Sequence, residues 1–268
     1  MIYLIVPIHN EEPFLERCLN SIAIQMADDI HVVLINDGST DKSGEIAAKY
    51  AEEWGWELIA NETAEGPSAA RNKGLDAISW TCKDSDWVAF LDSDDELVPD
   101  AFETMREAIE KWGFENIIQF NHLRHYETIG KTALKYFSSA GEYAISKLPV
   151  RWEFVWDKLY RATLAQSISF DERISYGEDE LYNLDMLLEG QRIRCVEDVT
   201  VKKHFENKNS IVHQLNLAQC TKQDNALRER LAVITARPYE PWANIVALTR
   251  LIDEHRKSKT YARAGWQQ

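Results

Sequence analysis

The sequence predicts an α/β fold in which a parallel sheet is crossed over by helices. Three observations point to it. Through the first 125 residues, short β-rich apolar runs alternate with stretches whose apolar residues recur at three- and four-residue spacing. Pro and Gly fall where those helical stretches should begin and stop. The loops that follow the apolar runs are polar, and three of the four combine carboxylates with Gly, Ser, Asn or Arg.

Element by element, residues 2–6 (IYLIV) form a buried strand. Pro13 then opens a helix, where its missing N–H costs nothing, and Phe14, Leu15, Cys18, Leu19 and Ile22 make the apolar face. Residues 30–35 (IHVVLI) are the second strand. The loop NDGSTDKS supplies a capping-type Asp/Ser start to a helix that stops at Gly55, and residues 56–60 (WELIA) are the third strand. GPSAARNKGLDAIS turns and becomes an Ala-rich helix, residues 87–91 (WVAFL) form the fourth strand, and Pro99 starts a helix reaching about Trp112.

Beyond residue 115 the pattern loosens. NIIQFNHL reads as a strand, HYETIGKTALKYF as a hairpin turning at Gly130 and Lys131, and IRCVE and VTVKKHF as two further strands. ISYGEDELYNLDMLLEG is a loop running into an amphipathic helix that stops at Gly190. From about Leu215 the chain reads as two helices broken at RPYEP. The expected organisation is therefore residues 1–125, residues 126–214 and a helical C-terminal appendage, residues 215–268.

Composition narrows the partners. Thirty Lys/Arg face 44 Asp/Glu, a formal net charge of −14, which disfavours nucleic acid and anionic membranes as partners for the bulk of the surface. The region from Lys222 onward carries nine Lys/Arg against five Asp/Glu, a basic bias that fits a solvated helical face, peripheral membrane contact or dimerisation. Cys18, Cys82, Cys195 and Cys220 are widely separated, so neither a zinc site nor a disulfide framework is indicated. The N-terminus lacks a basic leader and no run of about 18 apolar residues occurs, which makes a cytoplasmic location the expectation.

In an open parallel sheet the loops after the strands form one rim, where ligands bind. The rim loops here are PIHNEE, NDGSTDKS, NETAEGPSAARN and DSDDEL. The last is the most unusual: VAFLDSDDEL runs four apolar residues into Asp92, Asp94, Asp95 and Glu96. Such crowding costs free energy unless the acids point into water or a positive charge sits among them.

Together, IVPIHNEEPFLERCLNSI, VVLINDGSTDKS, GPSAARNKGL and VAFLDSDD resemble the nucleotide-sugar-binding half of family 2 glycosyltransferases, which have the GT-A fold. The likeness covers residues 2–100 in order and spacing, and extends more loosely through WDKLYR and YGEDELYNLDML. It implies a GT-A, Rossmann-like mixed sheet with flanking helices. The implied activity is metal-dependent, inverting transfer of a sugar from a nucleoside diphosphate donor, UDP-linked by expectation, to a hydroxyl of a glycan or glycolipid.

What the resemblance implies for single residues sits beside a plainer reading of each. An extended strand end would put Asp92 and Asp94 on one side and Asp95 on the other. Asp92, with Ser93 beside it, would then lie by the donor ribose. Asp94 would hold Mn²⁺ or Mg²⁺, whose preference for hard oxygens suits carboxylates; the plain alternative is a solvated acidic loop. Asp37 would read the uracil edge or cap the following turn. Pro7, His9 and Glu11 would line the nucleotide, His9 replacing the family's usual aromatic residue. Arg71 would approach the nucleotide, or form a salt bridge to an aspartate.

Within GEDE, Asp179 takes the place of the family's general base, although acids in a first helical turn are expected from the helix dipole alone. Tyr182 stands where the family commonly has Phe. Trp156, Lys158 and Tyr160 in FVWDKLYR would wall the sugar site or lie in the core. HFENKNSI leaves His204 as a third metal ligand or Lys208 as a diphosphate clamp. Two rivals keep the pocket and change the chemistry: a nucleotidyltransferase, which would want a Gly-rich basic first loop where PIHNEE is acidic, and a non-catalytic binding module.

Overall fold

A computed structural model describes residues 1–126, 130–135, 141–144, 154–190 and 192–204, with a few positions between 218 and 229. Its first part follows the β-α alternation: β1 (Ile2–Ile8), α1 (Glu12–Ala23), β2 (Ile30–Asp37), α2 (Ser43–Trp54), β3 (Glu57–Asn61), α3 (Pro67–Ile78) and β4 (Trp87–Phe90). Strands β1, β2, β3 and β4 are parallel and lie in the order β3-β2-β1-β4. The order reverses at β1, so the loops leaving β1 and β4 flank the crevice at the switch point.

Alternation along these strands builds a core on each face of the sheet. Ile2, Leu4, Val6 and Ile8 of β1 pack with Leu15, Leu19 and Ile22 of α1, whereas Tyr3 and Ile5 pack with Ala70, Leu75 and Ile78 of α3. Strand β2 divides the same way, Val32 and Leu34 to the first core and Val33 and Ile35 to the second. Burying each such aliphatic side chain contributes roughly 1.5–3 kcal/mol.

After β4 antiparallel strands join the parallel ones, and the sheet is mixed, as the GT-A resemblance implied. The short β5 (Glu96–Leu97) and α4 (Ala101–Trp112) are followed by β6 (Ile117–Tyr126), β7 (Lys131–Lys135), β8 (Gly141–Ala144), β9 (Lys158–Arg161), α5 (Ala162–Gln166), α6 (Glu178–Gly190) and β10 (Arg192–His204). Antiparallel β9 inserts between β4 and β6, β10 runs parallel to β6, and β5 closes the far edge against β10. Among the described residues these strands form one ten-stranded mixed sheet. It crosses the expected line at residue 125, which falls inside β6.

Some boundaries move for local reasons. The helix expected to start at Pro99 begins at Ala101, because Asp100 adopts a left-handed conformation with φ of 61°. IRCVE and VTVKKHF are one strand, β10, with irregular register between Cys195 and Val201 where the sequence suggested two. The hairpin at Gly130 joins β6 to antiparallel β7. Strands β5, β8 and β9 and helix α5 have no counterpart among the expected elements. The expected helical appendage, residues 215–268, and Lys208 lie outside the described residues but for the few positions named. No helix among the described residues is long and apolar enough to cross a membrane.

Gly38, directly after β2, has φ of 60°, and a Cβ there would lie 2.4 Å from the backbone of Thr63 and Ala64. Only glycine lets the loop after β3 come this close. Gly38→Ala should therefore cost at least twice what Gly55→Ala costs, since Gly55 shares the positive φ but has nothing within 4 Å of an added Cβ. Urea midpoints would read this as about 1 kcal/mol at Gly55 and about 2 kcal/mol or more at Gly38. Equal losses would remove the role given to the close approach.

Candidate active site

The rim begins at Asp37, the last residue of β2. Its Oδ1 accepts from Asn61 Nδ2 (2.7 Å) and the Glu65 amide (2.9 Å), and its Oδ2 accepts from the Gly66 amide (2.8 Å). The carboxylate thus ties down the loop that delivers α3. Lys73 supports the same loop through Asn61 Oδ1 (2.7 Å) and Glu65 Oε1 (2.6 Å). His9 lies beside it: its Nδ1 is 2.6 Å from the Asp37 carbonyl, which can only accept, so Nδ1 carries the proton and Nε2 accepts from Asn10. Glu11 places its amide on Ser43 Oγ at 2.8 Å, and Asp41 accepts the amides of Glu12 and Ser43, joining the first turns of α1 and α2.

With α3 fixed at its start, its second turn projects Arg71 into the crevice. This guanidinium is 4% exposed and meets three carboxylates: Asp92 Oδ1 at 3.0 Å, Glu178 Oε1 at 2.9 Å and Asp179 Oδ1 at 3.0 Å. Burial opposes its charge, but Asp179, Asp92 and Glu178 together raise its pKa above the ordinary arginine value. The residue that could have bound nucleotide or paired with an aspartate does the second, and with two helix acids as well.

The acidic stretch after β4 is a turn, closed by the Asp95 amide on the Asp92 carbonyl at 3.0 Å. The expectation that Asp95 faces away from Asp92 and Asp94 fails for that reason: extended alternation does not apply through a turn. Carboxylate oxygens of Asp92, Asp94 and Asp95 lie within 4.8 Å of one another. Lys203, near the end of β10, puts its ammonium 2.9 Å from Asp95 Oδ2 and 3.3 Å from Asp92 Oδ2. At such separations each pairing is worth on the order of 5 kcal/mol at an effective dielectric of about 20, before desolvation is counted. Burial works against ionisation of Asp92, yet Lys203 and Arg71 outweigh it and hold its pKa below the usual range. Burial likewise opposes the Lys203 charge, and the three aspartates hold that pKa well above the ordinary value.

Glu96 pairs with two cationic groups, Arg17 at 3.0 Å and Lys202 at 3.5 Å, and lies 2.7 Å from His204 Nε2. The His204 ring therefore donates to Glu96, while its amide donates to Asp95 Oδ1 at 2.9 Å. Ser93 is buried within the turn and Pro7 is half-buried in β1. Trp156 and Lys158 are each 2% exposed. Trp156 stacks on Phe154 with ring centroids 4.6 Å apart, and Lys158 Nζ donates to the Phe154 carbonyl and to Asp157 Oδ1, each at 2.6 Å. Both are core residues beneath the rim, and Tyr160, bonded to Asn183 at 2.6 Å, is a third.

Asp179 opens α6 and is 8% exposed. Its Oδ2 accepts from the Val155 amide at 3.3 Å, whereas Oδ1 is buried and carries no hydrogen bond among the described residues, Arg71 being near but not aligned with it. Burial pushes its pKa up to about 7 against the pull of Arg71, with Glu178 and Asp92 adding to the rise. Tyr182, one turn on, packs face to face with Phe170 at 3.9 Å, and Arg71 lies over the same Phe170 ring.

Five acids (Asp92, Asp94, Asp95, Glu178, Asp179) thus share two cations, Arg71 and Lys203. The set of hard oxygens and the excess of negative charge both fit a divalent ion of the Mg²⁺ or Mn²⁺ type. Sequence reasoning missed Lys203 and Glu178. The signal for Glu178 was a further acid beside Asp179, and Lys203 carried none beyond its place in VTVKKHF.

The model of the family described as Glycosyl transferase family 2 matches residues 3–172. Similar proteins include the uncharacterized glycosyltransferase EpsJ of Bacillus subtilis, 29% identical over 79% of this chain and 62% of its own length. Another is the glycosyltransferase GlyA of Streptococcus pneumoniae, 32% identical over 72% of this chain and 29% of its own. The chain thus spans less than two thirds of either relative. Among solved structures, S. aureus TarS in complex with UDP-GlcNAc aligns with a TM-score of 0.79 at 21% identity, covering 96% of this chain and 72% of that one. The mannosyltransferase PcManGT from Pyrobaculum calidifontis, in complex with GDP-Man and Mn²⁺, aligns with a TM-score of 0.60 at 14% identity, covering all of this chain and 76% of that one. At those identities the two structures bear on the fold, which is that of the GT-A glycosyltransferases.

Replacing Arg71 leaves buried carboxylates without their shared cation. Arg71→Met should cost about 3–5 kcal/mol in urea unfolding, the range for breaking a buried ion pair from one side. A loss under about 1 kcal/mol would mean the three acids do not depend on it.

Proposed function

Because this chain belongs to glycosyl transferase family 2, we propose that it is a metal-dependent, inverting glycosyltransferase using a nucleoside diphosphate sugar and a hydroxyl acceptor. The observation that carries this reading is Arg71, which joins the acidic turn after β4 to Asp179 in one buried cluster. Arg71 Nη2 meets Asp92, in the proposed leaving-group corner, and Nη1 meets Asp179, the proposed proton acceptor. UDP is the favoured nucleotide, by analogy with the UDP-GlcNAc complex of TarS, and the acceptor taken from the sequence resemblance is a glycan or glycolipid.

Asp92, Asp94 and Asp95 are the residues that would hold a divalent ion, which when bound offsets the charge that develops on the departing diphosphate. The chain's own residues account for the rest. Asp179 Oδ1, buried and without a hydrogen bond among the described residues, accepts the proton of the acceptor hydroxyl as that oxygen attacks the anomeric carbon. The bond from that carbon to the diphosphate oxygen breaks, and its electron pair leaves with the nucleotide. A single displacement of this kind inverts the centre and passes through an oxocarbenium-like state, as in inverting glycoside hydrolysis. Arg71 keeps Asp179 and Asp92 at a fixed separation while both change their electrostatic surroundings. Asp37, with His9 beside it, is the residue assigned to the uracil edge; its carboxylate, which already accepts from Asn61 and the Glu65 and Gly66 amides, would use its remaining lone pair for a base N–H.

Incubation with a panel of UDP- and GDP-sugars, with Mn²⁺ or with EDTA, should give metal-dependent donor binding and nucleotide release. Absence of binding to every donor in the presence of metal would end this reading. Asp94→Asn and Asp179→Asn should each reduce turnover on the order of 100-fold or more; full transfer by both would reject the site even if the class survived. The carboxylate form of Asp179 is the active one, so turnover should drop as pH falls through about 7, approaching tenfold per unit below it. A turnover profile flat from pH 5.5 to 8 would remove Asp179 from the role of base.

A further inference from the structure

Lys203 occupies the ground that the acidic turn would offer to a metal ion. Its ammonium lies 2.9 Å from Asp95 Oδ2 and 3.3 Å from Asp92 Oδ2, on a side chain 16% exposed whose Nζ lies 5.3 Å from the centroid of the Trp156 ring. The other oxygens of these two acids are engaged as well, Asp92 Oδ1 by Arg71 and Asp95 Oδ1 by the His204 amide. Yet Asp92 and Asp95 belong to the one group of three acids, among the described residues, whose oxygens converge closely enough to hold an ion. Hard divalent ions bind oxygen at roughly 2.0–2.6 Å, so an ion ligated by either Oδ2 would crowd an ammonium already at hydrogen-bond distance and repel it.

Building on the metal-holding role given above to this turn, we propose that Lys203 is a resident counter-cation that competes with the divalent ion for Asp92 and Asp95. It keeps the turn in its folded shape without an ion, and it weakens binding of the ion alone. Taking up the ion then requires the ammonium to leave the two Oδ2 atoms. A lysine suits this exchange: its charge is a compact point on a flexible stem, whereas the guanidinium of Arg71 is locked by three partners.

Mn²⁺ binding to the full chain without nucleotide, followed by the electron paramagnetic resonance signal of free Mn²⁺, tests the exchange. Lys203→Met keeps an apolar stem near Trp156 and should bind Mn²⁺ at least tenfold more tightly than the unsubstituted protein, while Lys203→Arg, which keeps the charge, should show no such gain. A folded Lys203→Met protein with equal or weaker affinity would overturn the proposal and leave the metal reading intact. If the substituted proteins do not fold, reductive methylation of the unsubstituted protein, read by peptide mass spectrometry, still decides. Mn²⁺ should raise the labelling rate of Lys203 several-fold and leave exposed Lys42 unchanged; no rise at Lys203 would overturn the exchange. Failure of every form to bind Mn²⁺ would instead reject the metal reading itself, and the exchange with it.

Discussion

The buried Arg71 guanidinium is the contact on which the arrangement of the rim depends. One side chain from α3 reaches an acid in the turn after β4 and two in the first turn of α6, groups up to 108 residues apart in the chain. An ion pair out of water is weak evidence for stability, because desolvation consumes much of the Coulombic gain. Its value here is geometric. With three acids around one planar cation, moving any of them strands a buried charge, so Asp92 and Asp179 keep a set separation.

That cation is itself placed by a chain of local causes. Asp37 accepts the Glu65 and Gly66 amides, Gly38 lets the loop approach, and Pro67 begins α3 where its missing N–H costs nothing. Gly74 then lets α3 lie close on β1, since a Cβ there would come within 2.4 Å of Ile5 Cγ2. Arg71 falls one turn before Gly74, on the part of α3 already pinned at both ends. The opposite wall is built differently: antiparallel β9 beside β4 makes the sheet mixed, and β10 returns beside β6 to bring Lys203 and His204 to the acidic turn.

Two cations inside an acidic corner also resolve the crowding evident in VAFLDSDDEL. Arg71 and Lys203 neutralise part of it, Arg17, Lys202 and His204 surround Glu96, and the remaining negative charge is what a divalent ion and a donor would meet. Glu96 and Asp95 thereby gain structural roles that a reading of the turn as solvent-exposed would deny them. Trp156 and Lys158 move the other way, from candidate sugar contacts to core, since neither presents surface at the rim.

The amino-acid sequence alone determined the β-α alternation, the four parallel strands, the helices that pack on them and the loops that share a rim. These follow from side-chain periodicity, Pro and Gly placement and apolar runs, all of which act over a few residues. It also singled out Asp37, Arg71, Asp92, Asp94 and Asp179, through motifs carried by those same loops. Only the tertiary structure decided which charges pair: that Arg71 holds three acids, that Lys203 enters the turn, that Glu96 takes His204, and that two apparent strands are a single β10. Ion pairs across more than a hundred residues depend on strand order and register, and no local pattern encodes which strand will lie beside which.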